Sequence, residues 1–276
     1  SRRLGVTFAL LATAGLAAGP QRDEAAAPRQ VVRLFNGRDL DGWTPWLVDA
    51  GREDPRGVFT VEGGLLRISG DGYGYLRTDR AYRDYSLVAE FRWGDRSRPE
   101  RERNARDAGL FLHAVGPDGN SYDGGGAYMA AVECQVMEGA VGDLLLIKGR
   151  DERGRDVPVR LKARVAERRD VDGWPYWDSD GEPVTLAGTG RLNWRDKDCG
   201  WKDVFGARGP QDAESPPGDW TRVECECRDD TIRVFVNGRL VNEATDVFPS
   251  AGYVLLQCEG SEVFFRRIEL HPLPGD

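Results

Sequence analysis

Short β-rich segments separated by turn residues recur about every ten positions along this chain of 276 residues. Residues 57–62 and 65–69 form one such pair, and the Gly63-Gly64 between them is a two-residue hairpin signal. Residues 85–93 alternate apolar and polar side chains, as a strand with one buried face does. The count of such runs passes a dozen, and none alternates with a helical pattern. The sequence therefore predicts an all-β jelly-roll sandwich of two antiparallel sheets.

Alternation also predicts which side chains of one strand are buried. Val223, Cys225 and Cys227 share one parity and should face the core, whereas Glu224 and Glu226 should face outward. The five cysteines of the chain show no C-x₂-C spacing of the kind found in zinc sites. We interpret them as small buried apolar residues and predict no metal site.

The amino terminus has the pattern of an export signal. Arg2 and Arg3 precede an apolar run over residues 4–18, which ends in small residues suited to cleavage. We predict a signal peptide over residues 1–19, of the Sec or twin-arginine type, and a linker over residues 20–30. The protein should be periplasmic or extracellular, without membrane insertion of the mature chain.

Net charge and composition limit the classes of partner and of fold. The formal net charge is −8, so phosphate backbones would be repelled, and nucleic acid is excluded as a partner. Eight Trp, eight Tyr and ten Phe are too many large apolar side chains for a disordered chain. The predicted domain covers residues 31–273.

A long insertion interrupts the strand pattern at residues 149–219. Its start resembles a strand, but the remainder reads as loop and carries four tryptophans, Trp174, Trp177, Trp194 and Trp201. Long loops in compact domains are usually functional or disordered, and this aromatic content argues against disorder. We predict a loop that borders a binding cleft, with at least two of the four rings beside the same cleft as Glu133. The alternative is an Ω-like loop whose rings pack on its own base.

The candidate catalytic residues lie in one run, Glu133-Cys-Gln135-Val-Met-Glu138. On a strand Glu133 and Gln135 share a face, and a bulge would bring Glu138 onto the same surface. Retaining β-glucanases use a similar Glu-x-Asp-x-x-Glu arrangement, in which Gln135 here replaces the middle acid. The alternative is an ordinary solvent-facing strand with common carboxylates.

The wider sequence resembles the 3-keto-disaccharide hydrolase domain family over residues 31–273. Four blocks carry the resemblance: LFNGRDLDGW at 34–43, AGLFLH at 108–113, VECQVMEG at 132–139 and YVLLQCEGSEVFFRRIEL at 253–270. The resemblance implies a concanavalin A-like jelly roll that acts on 3-keto-sugar glycosides. Glu133 and Gln135 match the Glu-x-Gln strand of the family, and His113 takes a position usually held by Arg or His.

A ketone at C3 acidifies the C2 proton of the sugar, so a base can remove that proton while the C1 substituent leaves. For this elimination Glu133 is the predicted base, His113 or a bound cation the electrophile, and Glu138 the proton donor. Gln135 would orient sugar hydroxyls. The further candidate substrate-binding residues are Gln257, Arg266, Trp174 and Trp177.

Two classes of function remain open from the sequence. The chain is either an enzyme that cleaves or hydrates 3-keto-glycosides or a non-catalytic carbohydrate-binding module, and its partner is a carbohydrate in both cases. A third class, an adhesion or scaffold domain, explains the fold but not the Glu-x-Gln pair. His113 has a structural alternative as a hydrogen-bonded strand residue. No cofactor is predicted, and a divalent cation is left open.

Overall fold

The computed structural model describes residues 22–122 and 125–275 of the chain. The predicted signal peptide lies outside the described residues. The described chain consists of eighteen strands and short 3₁₀ turns, the latter including Arg22–Glu24 and Pro99–Arg101. The strands are β1 (Val32–Arg33), β2 (Trp43–Leu47), β3 (Phe59–Glu62), β4 (Leu65–Ile68), β5 (Tyr73–Thr78), β6 (Tyr85–Ser97), β7 (Asp107–Val115), β8 (Ala130–Met137), β9 (Leu144–Ile147), β10 (Arg160–Arg169), β11 (Pro175–Trp177), β12 (Glu182–Ala187), β13 (Gly190–Leu192), β14 (Thr221–Arg228), β15 (Thr231–Val236), β16 (Arg239–Phe248), β17 (Tyr253–Glu259) and β18 (Ser261–Pro272).

Two antiparallel sheets pack face to face, which confirms the predicted sandwich. The smaller sheet has seven strands in the order β13-β9-β8-β7-β17-β5-β2. The larger has eleven, in the order β11-β10-β16-β15-β14-β6-β18-β4-β3, with β1 beside β18 and β12 beside β10. One apolar core fills the space between the inner faces of both sheets. The outer face of the smaller sheet is therefore available for a site.

The alternation predicted for β14 is observed. Val223, Cys225 and Cys227 are buried, and each lies in the core between the sheets. Glu224 and Glu226 face the other way, partly exposed, and both form ion pairs with arginines. All five cysteines are free, and Cys199 is the exposed one.

The insertion contains more strand than its sequence indicates. β10 continues the larger sheet by pairing with β16, whereas β13 continues the smaller sheet by pairing with β9. The short strands β11 and β12 pair with β10 on its other side. The part of the insertion from β10 to β13 is therefore tied to the edges of both sheets.

The described part of the predicted linker is fixed to the sandwich. The Arg22 guanidinium lies 2.6 Å from Asp84 and 2.8 Å from Asp229, and the backbone of Ala26 pairs with that of Tyr82. No helix within residues 22–122 and 125–275 is long and apolar enough to cross a membrane.

Candidate functional site

A cavity of about 380 Å³ opens on the outer face of the smaller sheet. Alternation along β8 directs Val132 and Cys134 into the core and Glu133 and Gln135 to this outer face. Volumes of this size lie at the lower end of small-ligand pockets. The cavity is lined by Tyr73, Asp107, Tyr128, Glu133, Gln135, Leu145, Leu146, Ile147, Trp174, Thr189, Gly190, Arg191, Gln257 and Glu259.

Gly109 of β7 forms the floor on which two of these side chains meet. A methyl group at this position would lie 2.3 Å from Oε1 of Glu133 and 2.8 Å from Oε1 of Gln257. Only a residue without a side chain leaves room for both groups. Glu133 from β8 and Gln257 from β17 therefore converge over the strand between them.

Three carboxyl groups share the cavity, and they differ in their partners. Asp107 lies 3.0 Å from the guanidinium of Arg101. Glu259 accepts hydrogen bonds from the hydroxyl of Tyr128 at 2.9 Å and from Nε2 of Gln257 at 2.5 Å. No group in the described part of the chain donates a hydrogen bond to Oε1 of Glu133, although this side chain is 2% exposed. Oδ1 of Asp107 is likewise buried without a donor among the described residues, so Glu133 and Asp107 each keep one oxygen for a ligand.

The surroundings raise the pKa of all three carboxyls. Burial raises the pKa of Glu133 well above its usual range, the charge of Glu259 adds to this, and Arg191 opposes it. Burial and the charges of Glu259 and Glu133 likewise raise the pKa of Asp107, against the effect of Arg101. Burial raises the pKa of Glu259, which the hydrogen bond from Tyr128 opposes. The three groups therefore keep protons at pH values where free carboxyls have lost theirs.

The remaining polar groups suit a sugar. The side-chain oxygens of Gln135 and Gln257 are buried and accept no hydrogen bond from the described residues. Each can accept one from a ligand hydroxyl. Arg191 contributes a fixed positive charge, and Trp174 and Tyr73 contribute aromatic surface at the wall. The cavity thus combines hydroxyl acceptors, aromatic surface and titratable carboxyls.

His113 does not reach the cavity. The register of β7 against β8 shifts between Leu112 and Val115, and His113 takes a left-handed φ of 57° there. The shift reverses the parity expected from strict alternation. The imidazole lies between the sheets, with its ring centroid 5.5 Å from that of Tyr85, and burial lowers its pKa to about 4. The structure thus gives no support to His113 as the electrophile.

Glu138 is also separate from the cavity. Its carboxylate accepts hydrogen bonds from Nε and Nη2 of Arg106 at 3.0 and 2.6 Å. The backbone N–H groups of Arg106 and Gly206 donate to it as well, at 3.0 and 3.1 Å. These four donors occupy the acceptor sites of the carboxylate. The expected bulge that would align Glu138 with Glu133 is absent, and Glu138 is not placed to protonate a leaving group.

Two candidate substrate-binding residues lie elsewhere. Arg266 pairs with Glu90 at 2.5 Å on the outer face of the larger sheet. Trp177 belongs to the core between the sheets, where Arg195 covers its ring at 5.3 Å. Trp174 is the one insertion tryptophan among the residues that line the cavity. The prediction that at least two of these rings border the cleft is therefore wrong.

Asp107, Arg191 and Glu259 are the site residues that the sequence reasoning missed. Gln257-x-Glu259 repeats the polar i, i+2 spacing of Glu133-x-Gln135 inside an otherwise buried strand, and that signal could have found Glu259. Arg191 lies on a strand of three residues inside the segment interpreted as loop, where no periodicity can be read.

The acidic residues of the insertion do not form a cation site. Asp170 accepts hydrogen bonds from the backbone N–H groups of Asp172 and Trp174, as in a loop turn. Across residues 22–122 and 125–275 no group of three or more His, Cys, Asp or Glu side chains is arranged to hold a metal ion.

Comparison with known proteins identifies one family. The family described as "3-keto-alpha-glucoside-1,2-lyase-like domain" matches residues 30–271. No curated protein matches the sequence significantly.

Several solved structures are similar to this chain over most of its length, at low sequence identity. A proposed glycosyl hydrolase from Parabacteroides distasonis is 16% identical, with a TM-score of 0.48 over 89% of this chain and 94% of its own. The carbohydrate-binding module CBM66 from Bacillus subtilis is 13% identical, with a TM-score of 0.40 over 83% of this chain and 94% of its own. The β-glucanase of Bacillus licheniformis is 10% identical, with a TM-score of 0.41 over 87% and 96%. Likenesses of this size do not bear on activity.

Proposed function

This chain belongs to the family of 3-keto-alpha-glucoside-1,2-lyase-like domains, and on that premise we propose that it cleaves 3-keto-glycosides by elimination across C1 and C2. The observation that supports this proposal is the carboxyl of Glu133, which is buried in the cavity without a hydrogen-bond donor to its Oε1 among the described residues. An unpartnered buried carboxyl costs folding free energy, and proteins keep such groups where a reaction needs them.

In the proposed reaction the carboxylate of Glu133 removes the C2 proton of the sugar, which the C3 ketone has made acidic. The electron pair of the C2–H bond forms the C1=C2 double bond, and the C1–O bond breaks. The leaving oxygen takes a proton, and water can later add across the double bond to give the free 3-keto-sugar. A positioned base contributes ~10²–10⁴-fold to such a step. The raised pKa of Glu133 makes its ionised form a stronger base than an ordinary carboxylate.

The other cavity residues take the remaining roles. Asp107, whose pKa is raised well above its usual range, holds a proton that it can give to the leaving oxygen. Arg191 replaces His113 as the positive group that stabilises the enolate oxygen, because charge placed in a dry cavity acts strongly. Gln135 and Gln257 accept hydrogen bonds from sugar hydroxyls, and Trp174 packs on a ring face.

The test is an activity screen of the purified protein on 3-keto-glucosides and on the matched unoxidised glucosides. We expect release of the C1 substituent from the 3-keto-sugars alone, and in D₂O the hydrated product should carry deuterium at C2. Cleavage of the parent glucosides at an equal rate would contradict the elimination. Binding of the 3-keto-sugars without turnover would favour the carbohydrate-binding module instead.

Export is a second part of the proposal and rests on the pattern of residues 1–19. We expect the full chain to be recovered outside the cytoplasm of an expressing bacterium, and a chain lacking residues 1–19 to remain inside. Equal distribution of both chains would contradict it.

A further inference from the structure

A buried ionic cluster lies behind the cavity wall that Arg191 forms. Asp143 is fully buried and follows directly on a turn whose backbone bonds to Gln135. Its Oδ2 accepts hydrogen bonds from Nε of Arg191 at 2.7 Å and from Nζ of Lys197 at 2.7 Å. Its Oδ1 accepts one from the backbone N–H of Trp194 at 2.8 Å. One carboxylate is thus shared by two cations.

Lys197 occupies a site that fits an ammonium group. It is 2% exposed, and besides Asp143 its Nζ donates to Oδ1 of Asn193 at 2.8 Å. The ring of Trp201 lies 4.4 Å from Nζ, and the same ring lies 5.5 Å from the guanidinium of Arg191. Two acceptors and an aromatic face satisfy the three N–H groups of the charged form.

We propose that Lys197 is a positioning residue for the charge of the cavity wall: it compensates Asp143, so that the guanidinium of Arg191 keeps an uncancelled positive charge toward the sugar. With Arg191 alone, Asp143 would form a neutral pair, and the wall would offer no net charge. With Lys197 added, the cluster carries one net positive charge in surroundings of low dielectric. That charge faces the cavity in which Asp107, Glu133 and Glu259 lie, and in which negative charge develops on the enolate oxygen.

The other charged groups near the cluster do not cancel this charge. Asp170 is connected to Lys197 through Asn193, whose Nδ2 donates to Asp170 at 2.8 Å. Asp170 is partly exposed and already accepts hydrogen bonds from backbone N–H groups of its own loop. Water and these N–H dipoles therefore screen its negative charge. On the cavity side Arg101 pairs with Asp107 and leaves Arg191 as the cation that acts on Glu133.

The role toward the sugar rests on the proposed function, but the charge arrangement can be tested without turnover. The readout is the pKa of Glu133, measured by carbon-13 NMR in the free protein. Lys197→Met makes the cluster neutral and should raise the pKa of Glu133 by ~0.5–1 unit, because the net positive charge is lost. Asp143→Asn adds a net positive charge and should lower it. The double variant, with Arg191 alone, should return it close to the wild-type value.

A packing role for Lys197 would not give this pattern of opposite signs and restoration. Equal pKa values in all four proteins, shifts of the same sign in the two single variants, or a double variant that stays as far from wild type as Lys197→Met would overturn the proposal. Thermal melts identify a variant that fails to fold; if Lys197→Met does, the Asp143→Asn and double variants still give the sign. If the wild type proves inactive on 3-keto-sugars while the pKa pattern appears, the proposed function fails and the charge arrangement stands.

Discussion

Two glutamates, one within β8 and one just beyond its end, stand in opposite surroundings. Glu138, just beyond the strand, has a carboxylate that receives four hydrogen bonds and pairs with Arg106. Glu133, within the strand, is buried to a similar extent but faces a cavity, with no donor to its Oε1 among the described residues. Residue type and burial are the same, and the number of donors differs.

The difference separates a carboxylate that is held by the fold from one that has an oxygen free for a ligand. Hydrogen bonds to the charged form stabilise a buried carboxylate, whereas a bare one costs free energy and has a raised pKa. Glu133 therefore destabilises the fold to a degree that Glu138 does not, and it keeps lone pairs free for a ligand. Substituting the two residues should separate activity from stability.

The largest effect is expected from Glu133→Gln. The amide keeps the shape but cannot remove a proton, so turnover of 3-keto-glycosides should fall by ~10²–10⁴-fold. Stability should not fall: a folded-state pKa above the unfolded value means that the wild type loses stability as pH rises through that folded pKa, and the variant lacks this loss. Steady-state kinetics and melts at several pH values measure both effects. The control is Glu226→Gln on the larger sheet. Turnover at the wild-type rate by Glu133→Gln would show that Glu133 is not the base.

Glu138→Gln should lower the stability of the fold and leave turnover nearly unchanged. It leaves the guanidinium of Arg106, whose side chain is 12% exposed, without its buried carboxylate partner, and breaking such an ion pair costs about 3 kcal/mol of unfolding free energy. Urea unfolding measures this loss, which Glu226→Gln should not show beyond about 0.5 kcal/mol. At a temperature where the protein is folded, kcat/KM should remain within a few fold of wild type. A strong fall in turnover with unchanged stability would place Glu138 in the chemistry after all.

Gly109→Ala should impair activity although it replaces no titratable residue. The added methyl would push Glu133 and Gln257 apart, since both approach this position closely. Displacement by about 1 Å can cost ~10²-fold in turnover. The matched change Gly200→Ala meets a side-chain atom of Asp198 at an ordinary 3.4 Å and should leave kinetics unchanged. Equal kinetics for both alanine variants would mean that the Glu133 and Gln257 side chains need not meet over β7.

The smallest effect is a displacement of the pH profile by Glu259→Gln. The negative charge of Glu259 raises the pKa of Glu133, so its removal should lower that pKa by ~1 unit. Because the base must be ionised, the acidic limb of kcat/KM should move to lower pH by the same amount. The dependence of kcat/KM on pH, measured from about pH 4 to about pH 9, tests this shift. A limb that stays in place or moves to higher pH would contradict the coupling.

Strict alternation made much of the fold predictable. The burial of Cys225 and Cys227 on β14 follows from parity alone, because each neighbouring strand pairs in unbroken register there. The same reasoning fails for His113, because a register shift in β7 reverses parity, and single-sequence patterns carry no sign of such a shift. Within the insertion, β13 is too short for periodicity to be visible.

The site was predictable where one strand presents a pair of polar side chains. Glu133 and Gln135 follow from β8 itself, and Gln257 from the resemblance of its block. Asp107 and Arg191 could not follow, because they join the site only through the order of strands in the sheet. Trp177 and Trp174 lie three positions apart in the same polar segment, and the sequence does not distinguish their environments. The pairing of β11 with β10 places the ring of Trp177 in the core.

The outer face of the smaller sheet is only partly open, which limits how a substrate can lie on it. Residues 127–129 pack over Phe111, Leu255 and Tyr75, and these three side chains are fully buried there. The half of the sheet toward β2 is thus roofed, and a long polysaccharide cannot pass across the strands from edge to edge. The cleft is therefore closed at its end toward β2. For the proposed reaction this geometry suits a short glycoside or a chain end, and the product would leave by the route along which the substrate entered, where it would compete with the next substrate molecule.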